Sequence, residues 1–508
     1  MRALSAVMLL AALVAASVLG PRAAAAEEPP LPAMAGADQG EATPPPPPPP
    51  EGAGPETPPP PPSGAGPEAP PPPPSGAGQQ PPPPPPSGAA TPPPATAETF
   101  SDILDKELAA LPFPLHGFWE ARVGPRIVED SHHSSQFTLG ETRLQLKSDP
   151  YVGPFRLGFK ADFLYDAVTR EARMELREAN ASFSPFSFMD VKVGRQILTW
   201  GTGDLLFIND LFPKDYISFF IGRDEEYLKA PSDALKVSFF GLPLGTNLDL
   251  VYVPVFDPDV FPTGKRLTYY NPLLNMRAGS SNRLRTEGRS AWFEDDEVHA
   301  RLYRNIGSYE VAAYGYHGFW KTPMGVNLTN GKFLFPRLNV YGASVRGPAL
   351  GGIGNVEVGY YDSPGDPTGS NPLMPNSQYR LLVGYSRDLP QIARDFTIGV
   401  QYYVEHMLDY GALERTWPAG LPEPSRNHQV LTLRVTKLML NQDLNLGLFT
   451  YWSPSDNDAY LRPHASYKIT DRWVVDGGAN IFLGQRRFTQ FGQFEPNSNV
   501  YVGLRYSF

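Results

Sequence analysis

The chain contains no cysteine. A disulfide framework is therefore excluded, which fits an exported protein that does not rely on one. After the first 26 residues it has no apolar run long enough for a membrane-spanning helix. Charge is also sparse. Forty-three Lys and Arg against 53 Asp and Glu leave a formal −10 over 508 residues, with no electrostatic footprint for nucleic acid. What the chain has in quantity is proline (59) and aromatic side chains, with 24 Tyr and 29 Phe. The prolines gather in one segment. The aromatics spread over the remainder, in a number that suits interfacial girdles.

Residues 1–26 read as an export signal: Arg2, the apolar AVMLLAALVAASVLG, then small residues up to Ala26. Residues 27–98 are low complexity, with units such as PPPPPSGAGPE in succession. Such a segment buries almost nothing and does not fold alone. Its proline blocks favour polyproline II, reaching roughly 200 Å if fully extended. It reads as a periplasmic linker, either an inert spacer or a tether to cell wall or a periplasmic partner. Residues 99–115 hold a short helix, with Phe100, Ile103, Leu104, Leu108 and Leu111 at helical spacing and Ser101 as a cap. It lies against a barrel rim or enters a lumen.

From His116 the period changes to two. HGFWEARVGPRIV sets Trp119, Ala121, Val123 and Ile127 against Glu120, Arg122 and Arg126. QFTLGETRLQLK sets Thr138, Thr142, Leu144 and Leu146 against Glu141, Arg143, Gln145 and Lys147. FRLGFKADFLY sets Phe155, Leu157, Phe159, Ala161 and Phe163 against Arg156, Lys160 and Asp162. Each strand faces two different solvents. The pattern predicts eighteen strands, at 116–129, 136–151, 154–167, 173–186, 189–203, 235–242, 246–256, 296–305, 309–319, 336–348, 353–362, 377–388, 394–407, 428–439, 442–453, 459–469, 472–484 and 498–508. Every second connection is short and rich in Gly, Pro, Asn and Asp; the others include all the long ones. The expected fold is all-β: an antiparallel transmembrane barrel over 116–508, with short periplasmic turns and long outer loops.

The final strand, NVYVGLRYSF, alternates to its end and stops on Phe508. It looks like the closing strand of a bacterial outer-membrane barrel, whose aromatic end engages the barrel-assembly machinery. The stretch VKVGRQILTWGTGDLLFINDLFPKDY, residues 191–216, is the most distinctive inside the barrel. Strict alternation puts Arg195 with Val193 on the lipid side, at a cost of roughly 2–4 kcal/mol near the midplane. A bulge or a kink at Gly194 is expected to turn it inward. With its GRQILTWG run, the stretch resembles alginate-export-like and porin-like outer-membrane β-barrels. The resemblance implies an eighteen-stranded channel for an anionic or polar solute, with Arg195 and Gln196 among the lumen residues. It does not carry the alginate substrate with it.

The lumen-facing charges carry the functional expectation. The basic set is Arg122, Arg126, Arg143, Lys147, Arg156, Lys160, Lys192, Lys236, Arg301, Arg346, Arg380, Arg434, Arg462, Lys468 and Arg505. The acidic set is Glu120, Glu141, Asp162, Glu178, Asp249, Glu310, Glu357, Glu405 and Asp476. Bases outnumber acids, and fixed positive charge in a narrow tube favours anions. The same charges can instead pair across neighbouring strands and only stiffen the wall. The segment LLFINDLFPKDYISFFIGRDEEY is too apolar for an ordinary surface loop. It is expected to pack at the rim or in the lumen, with Arg223, Asp224, Glu225 and Glu226 near the mouth.

Weaker signals point elsewhere. GTGD at 201–204 lacks the Lys-Ser/Thr of a phosphate loop. His132 and His133 read as solvent-facing rather than metal-binding. Asp456, Asn457 and Asp458 suit a tight turn as well as a calcium site. His464 and Ser466 have a phospholipase-like spacing but face the lumen, away from lipid. No catalysis, cofactor or metal is expected. The sequence is read as an outer-membrane channel for small polar, anionic solutes, embedded in lipid with its arm in the periplasm. The competing reading is a barrel serving as sheath or envelope tether for a periplasmic or electron-transfer partner.

Overall fold

Eighteen strands with one greasy face and one charged face close on themselves in the computed structural model, which describes residues 100–508. The export signal and the proline-rich linker lie outside the described residues. In chain order the strands are β1 (His116–Pro125), β2 (Phe137–Ser148), β3 (Phe155–Asp166), β4 (Glu171–Phe186), β5 (Met189–Ile197) and β6 (Pro231–Leu242). Next come β7 (Thr246–Val253), β8 (Glu297–Ile306), β9 (Tyr309–Phe319), β10 (Arg337–Ala349), β11 (Gly352–Asp362) and β12 (Gln378–Asp388). The last six are β13 (Phe396–Met407), β14 (Asn427–Met439), β15 (Leu444–Ser453), β16 (Asp458–Lys468), β17 (Trp473–Gly484) and β18 (Asn499–Ser507). A two-residue extension, Tyr151–Val152, pairs with the start of β3. Each strand pairs antiparallel with the next. β1 pairs with β18, Glu120 opposite Arg505, so the barrel itself has no open edge.

The connections divide by end. At one end lie only turns and short links, among them 187–188, 243–245, 307–308, 350–351, 389–395, 440–443 and 469–472. The other end carries 126–136, 198–230, 254–296, 320–336, 363–377, 408–426 and 485–498. Outward positions are apolar: Val123, Leu144, Phe163, Val193, Val345, Val383, Val400 and Val502 are all exposed. Exposed aromatics sit near both strand ends, Phe186, Phe188, Tyr309 and Tyr467 by the short turns and Tyr165, Tyr379 and Trp452 by the long loops. An apolar belt between aromatic girdles is the exterior of a membrane-spanning barrel.

The helix α1 (Phe100–Ala109) sits at the short-turn rim, where Asp105 accepts from Arg472 at 2.5 Å. That resolves the choice left open between rim and lumen.

Two expectations about the wall change. Thr138 does not face outward. The β1–β2 register shifts at Gly124/Pro125, leaving Thr138 as the extra residue, fully buried, its hydroxyl donating to the Gly124 carbonyl at 3.2 Å. The bulge moves Leu139 into the core. The strand expected to run from 189 to 203 ends at Ile197. Beyond it the chain turns inward, because Leu198, Trp200 and Phe212 find an apolar pocket with Ala234, Val251 and Tyr314 on the inner wall.

Candidate functional site

The loop 198–230 folds into the barrel and sets the shape of the lumen. Its apolar residues Leu205, Leu206, Phe207, Ile208, Phe219, Phe220 and Ile221 are buried against inward side chains Tyr361, Leu382, Tyr403, Tyr451, Tyr460 and Phe482. Tyr460 stacks on Phe482 with centroids 4.3 Å apart, and Phe220 meets both rings edge-on. Phe491 and Phe494 from the last long loop join the same cluster. An apolar sequence in a loop is thus explained by burial, not by contact with lipid. The loop also contains α2 (Tyr216–Ile221), capped by Asp215 and ended by Gly222 at φ 92°.

Polar contacts hold the loop at several points. The buried Glu357 carboxylate on β11 accepts from Thr202 N (2.8 Å), Thr202 Oγ1 (3.1 Å), Gly203 N (3.2 Å), Asn209 N (2.8 Å) and Asn209 Nδ2 (3.0 Å). Gln401 on β13 exchanges two hydrogen bonds with the Asp204 backbone. Arg223 donates to Glu141 on β2 through Nε and Nη2, at 2.9 and 2.6 Å. Arg177, the bulge residue of β4, donates to the carbonyls of Glu226 and Lys229 at 3.2 and 2.9 Å.

Among the described residues, two water-accessible spaces lie toward the short-turn end. One, of about 350 Å³, is lined by Arg122, Arg223, Arg434, Arg462 and Arg505, with Asp224, Glu225 and Asp476. Five cations face three anions. His464 and Ser466 line it too, so their shared spacing faces lumen water. The other, of about 1000 Å³, reaches the turn at Gly307 and Ser308 and is lined by Lys160, Lys229, Arg301 and Arg346 against Glu178, Glu226 and Glu310.

Of the candidate lumen residues, the eleven arginines together with Lys160 and Gln196 divide by these spaces. Arg122, Arg434, Arg462 and Arg505 meet at the first, and Lys160, Arg301 and Arg346 at the second. The remaining six do not line either. Arg143 is completely buried, held by Glu120 (3.2 Å), Glu141 (3.2 Å) and Asp162 (2.5 Å) and lying over the Tyr227 ring at 3.9 Å. Arg156 pairs with Asp149 at 2.7 Å at the short-turn rim. Arg126 donates to the carbonyls of Ser135 and Arg266 at 2.5 and 2.9 Å and binds long loops together. Arg380 pairs with Glu405 at 3.3 Å and covers the Tyr361 ring at 4.0 Å. Gln196 is fully buried and donates to the Ala234 carbonyl at 2.9 Å.

Arg195 departs from the expected inward turn. Gly194 has the unusual φ of 113°, but pairing runs unbroken on both sides of it. Arg195 keeps the register phase of Val193, which is 42 % exposed. Asp233 stands directly opposite on β6 and binds Arg195 Nη1 at 2.9 Å, while Nε donates to the Leu176 carbonyl at 2.7 Å. The charge is met inside the wall instead of being turned away from it.

The loop acids were the part of the site that sequence reasoning misplaced. Asp224 and Glu225 are not at the mouth but deep against the wall arginines, and Asp204 binds Arg434 through Nε and Nη2 at 2.6 and 3.0 Å. Burial opposes ionisation of Glu225, but Arg434 and Arg462 outweigh it and hold its carboxyl below the usual range. The loop therefore offsets part of the positive excess counted from the strands alone. The other polar clusters serve the loops. His133 bridges Asp130 and the Gly264 carbonyl, both at 2.9 Å, and Asp458 accepts from Phe491 N and Gly492 N at 2.7 and 3.1 Å.

No protein-family model matches the chain, and no curated protein matches it. Among solved structures it is similar to OccAB3 of Acinetobacter baumannii, at 10 % identity over 78 % of this chain and 98 % of that one, with a TM-score of 0.47. It is similar to OccD3 (OpdP) of Pseudomonas aeruginosa, at 11 % identity over 78 % and 91 %, TM-score 0.44. It is also similar to OmpF of Salmonella typhi, solved with daunomycin, at 12 % identity over 78 % and 97 %, TM-score 0.39. The likeness is one of barrel trace alone. The resemblance of the GRQILTWG stretch to alginate-export barrels gains nothing from it.

Proposed function

We propose that the chain is a bacterial outer-membrane channel that passes small polar solutes and prefers anions, with loop 198–230 as its constriction. The carrying observation is the convergence of Arg122, Arg434, Arg462 and Arg505, from four wall strands, on one cavity. Guanidinium groups gathered on one sector of the wall, from β14 round to β1, offer donors to a passing carboxylate or phosphate. Two of their partner carboxylates stand outside the cavity lining, Glu120 beside Arg122 and Arg505 and Asp204 beside Arg434, while Asp224, Glu225 and Asp476 line it, which still leaves the arginines in excess. In this reading the short turns and α1 face the periplasm, the proline-rich arm extends there, and Phe508 addresses the assembly machinery. The role is transport, without catalysis or cofactor.

The aromatic filling of the long-loop half favours one alternative, a plugged barrel acting as a sheath or an envelope anchor for the arm's partner. Swelling of proteoliposomes separates the two. The channel reading expects faster swelling in an isotonic anionic solute than in a cationic one of equal size, and a slower anion rate in R434Q/R462Q. Absence of swelling in every solute favours the sheath.

A further inference from the structure

Asp224 and Glu225 stand side by side at the tip of the inward loop. Gly222 delivers them there. A Cβ at that position would lie 2.3 Å from the Tyr501 ring, so only glycine lets the turn approach β18. Asp224 precedes the single turn Glu225–Leu228 but makes no capping hydrogen bond with its side chain. The carboxylate is directed at the wall instead. It binds Arg122 Nη2 at 2.5 Å and also binds Arg505. Glu225 binds Arg462 Nη1 at 3.2 Å and Arg434 Nη2 at 3.6 Å. Two adjacent carboxylates thus fill a clamp of four arginines on β1, β18, β16 and β14.

The clamp does not depend on these two acids for its shape. Arg122 is also held by Glu120 at 3.2 Å and Asp476 at 2.8 Å, and Arg505 by Glu120 at 2.6 Å. Arg434 is held by Asp204 at 2.6 Å, and Arg462 lies over the Phe219 ring at 3.7 Å. Asp224 and Glu225 meanwhile remain about a third exposed to the cavity, at 28 % and 31 %. The acids are thus partly open to the cavity, while the guanidinium groups they bind keep other contacts of their own.

We propose that Asp224 and Glu225 are resident occupants of a binding site for a short dicarboxylate, which takes their place on Arg122, Arg505, Arg434 and Arg462 and releases the loop tip. A dianion replaces both carboxylates and leaves every guanidinium paired. A monocarboxylate replaces only one, and a neutral solute neither. The loop acids lower the apparent affinity of the site by the fraction of time they fill it. The consequence for transport rests on the channel reading; binding does not.

The test is calorimetric titration of the full chain in detergent, with succinate as the dianion and acetate as the monoanion. D224N/E225Q should bind succinate about tenfold more tightly than the unmodified protein, since the internal competitor is gone. R434Q/R462Q should lose succinate binding. Equal or weaker binding in D224N/E225Q, or acetate binding as tightly as succinate, overturns the proposal. If the double variant does not form a heat-modifiable barrel, E225Q alone should tighten binding about threefold on the same argument, and no change overturns it. Succinate binding in a barrel that never conducts keeps the site and rejects the channel. Conduction without succinate binding does the reverse.

Discussion

The Glu357 carboxylate receives Asn209 twice, from its backbone N at 2.8 Å and its Nδ2 at 3.0 Å, and so ties the inward loop to β11. Glu357 is 1 % exposed and accepts three further bonds from Thr202 and Gly203. One wall residue therefore organises the loop's entry into the lumen. Replacing it removes the acceptor for five donors at once.

Glu357→Ala should loosen the constriction without opening the barrel. Each buried donor left without an acceptor costs about 1–3 kcal/mol. The loop should leave its seat while the strand ladder persists. Single-channel conductance is expected to rise severalfold over the unmodified protein, with heat-modifiability retained. Unchanged conductance would show that the loop is held by its apolar contacts alone.

Topology is checked from outside the cell. The chain has no cysteine to interfere. A cysteine at Asn330 or Asn427, at the long-loop end, should react with an impermeant maleimide on intact cells. One at Asn441 or Asp471, in the short turns, should not. The opposite pattern would invert the barrel.

Phe508 closes the ring. Its backbone exchanges two hydrogen bonds with Gly117, both at 3.0 Å. Deleting Phe508 should lower the folded yield in the outer membrane far more than two half-buried hydrogen bonds warrant, if it also addresses the assembly machinery. Removal of residues 30–95, by contrast, should leave a heat-modifiable barrel, since the barrel closes without them.

Asp259, in the long loop 254–296, carries a pH signature. Burial pushes its carboxyl up to about 6, although Lys214 opposes the shift. The folded state therefore holds a proton that the unfolded chain releases near its ordinary value of about 4. This stabilising contribution is complete below about pH 4 and is lost as pH rises through about 6. Thermal unfolding of Asp259→Asn should show a smaller loss of stability between pH 5 and pH 7 than the unmodified protein. An identical loss in both would remove Asp259 from the account.

The barrel was legible in the sequence because its two faces meet different solvents. That forces period two along β1, β2 and β3 and sorts short turns from long loops. What was not legible followed from local departures. The bulge that moves Thr138 into the wall leaves no mark on hydrophobic alternation. The inward turn after Ile197 depends on the pocket around Trp200, which several distant strands build together. The apolar character of 205–221 signalled burial of that loop, but not where Asp224 and Glu225 would rest. Their partners Arg122, Arg505, Arg434 and Arg462 lie more than a hundred residues away in either direction. Strand-by-strand charge counting also overstated Arg143, whose carboxylate partners Glu120, Glu141, Asp162 and Glu175 remove it from the aqueous lumen.

The account rests on guanidinium groups facing the water of the lumen, within the roughly 8 Å over which such charge is felt at physiological salt. Reversal potential in a planar bilayer under a potassium chloride gradient measures that directly. The unmodified barrel and Glu357→Ala should both show modest anion selectivity, shifting toward cations in R434E/R462E. Cation selectivity in the unmodified barrel, or no conductance in either it or Glu357→Ala, would contradict the account.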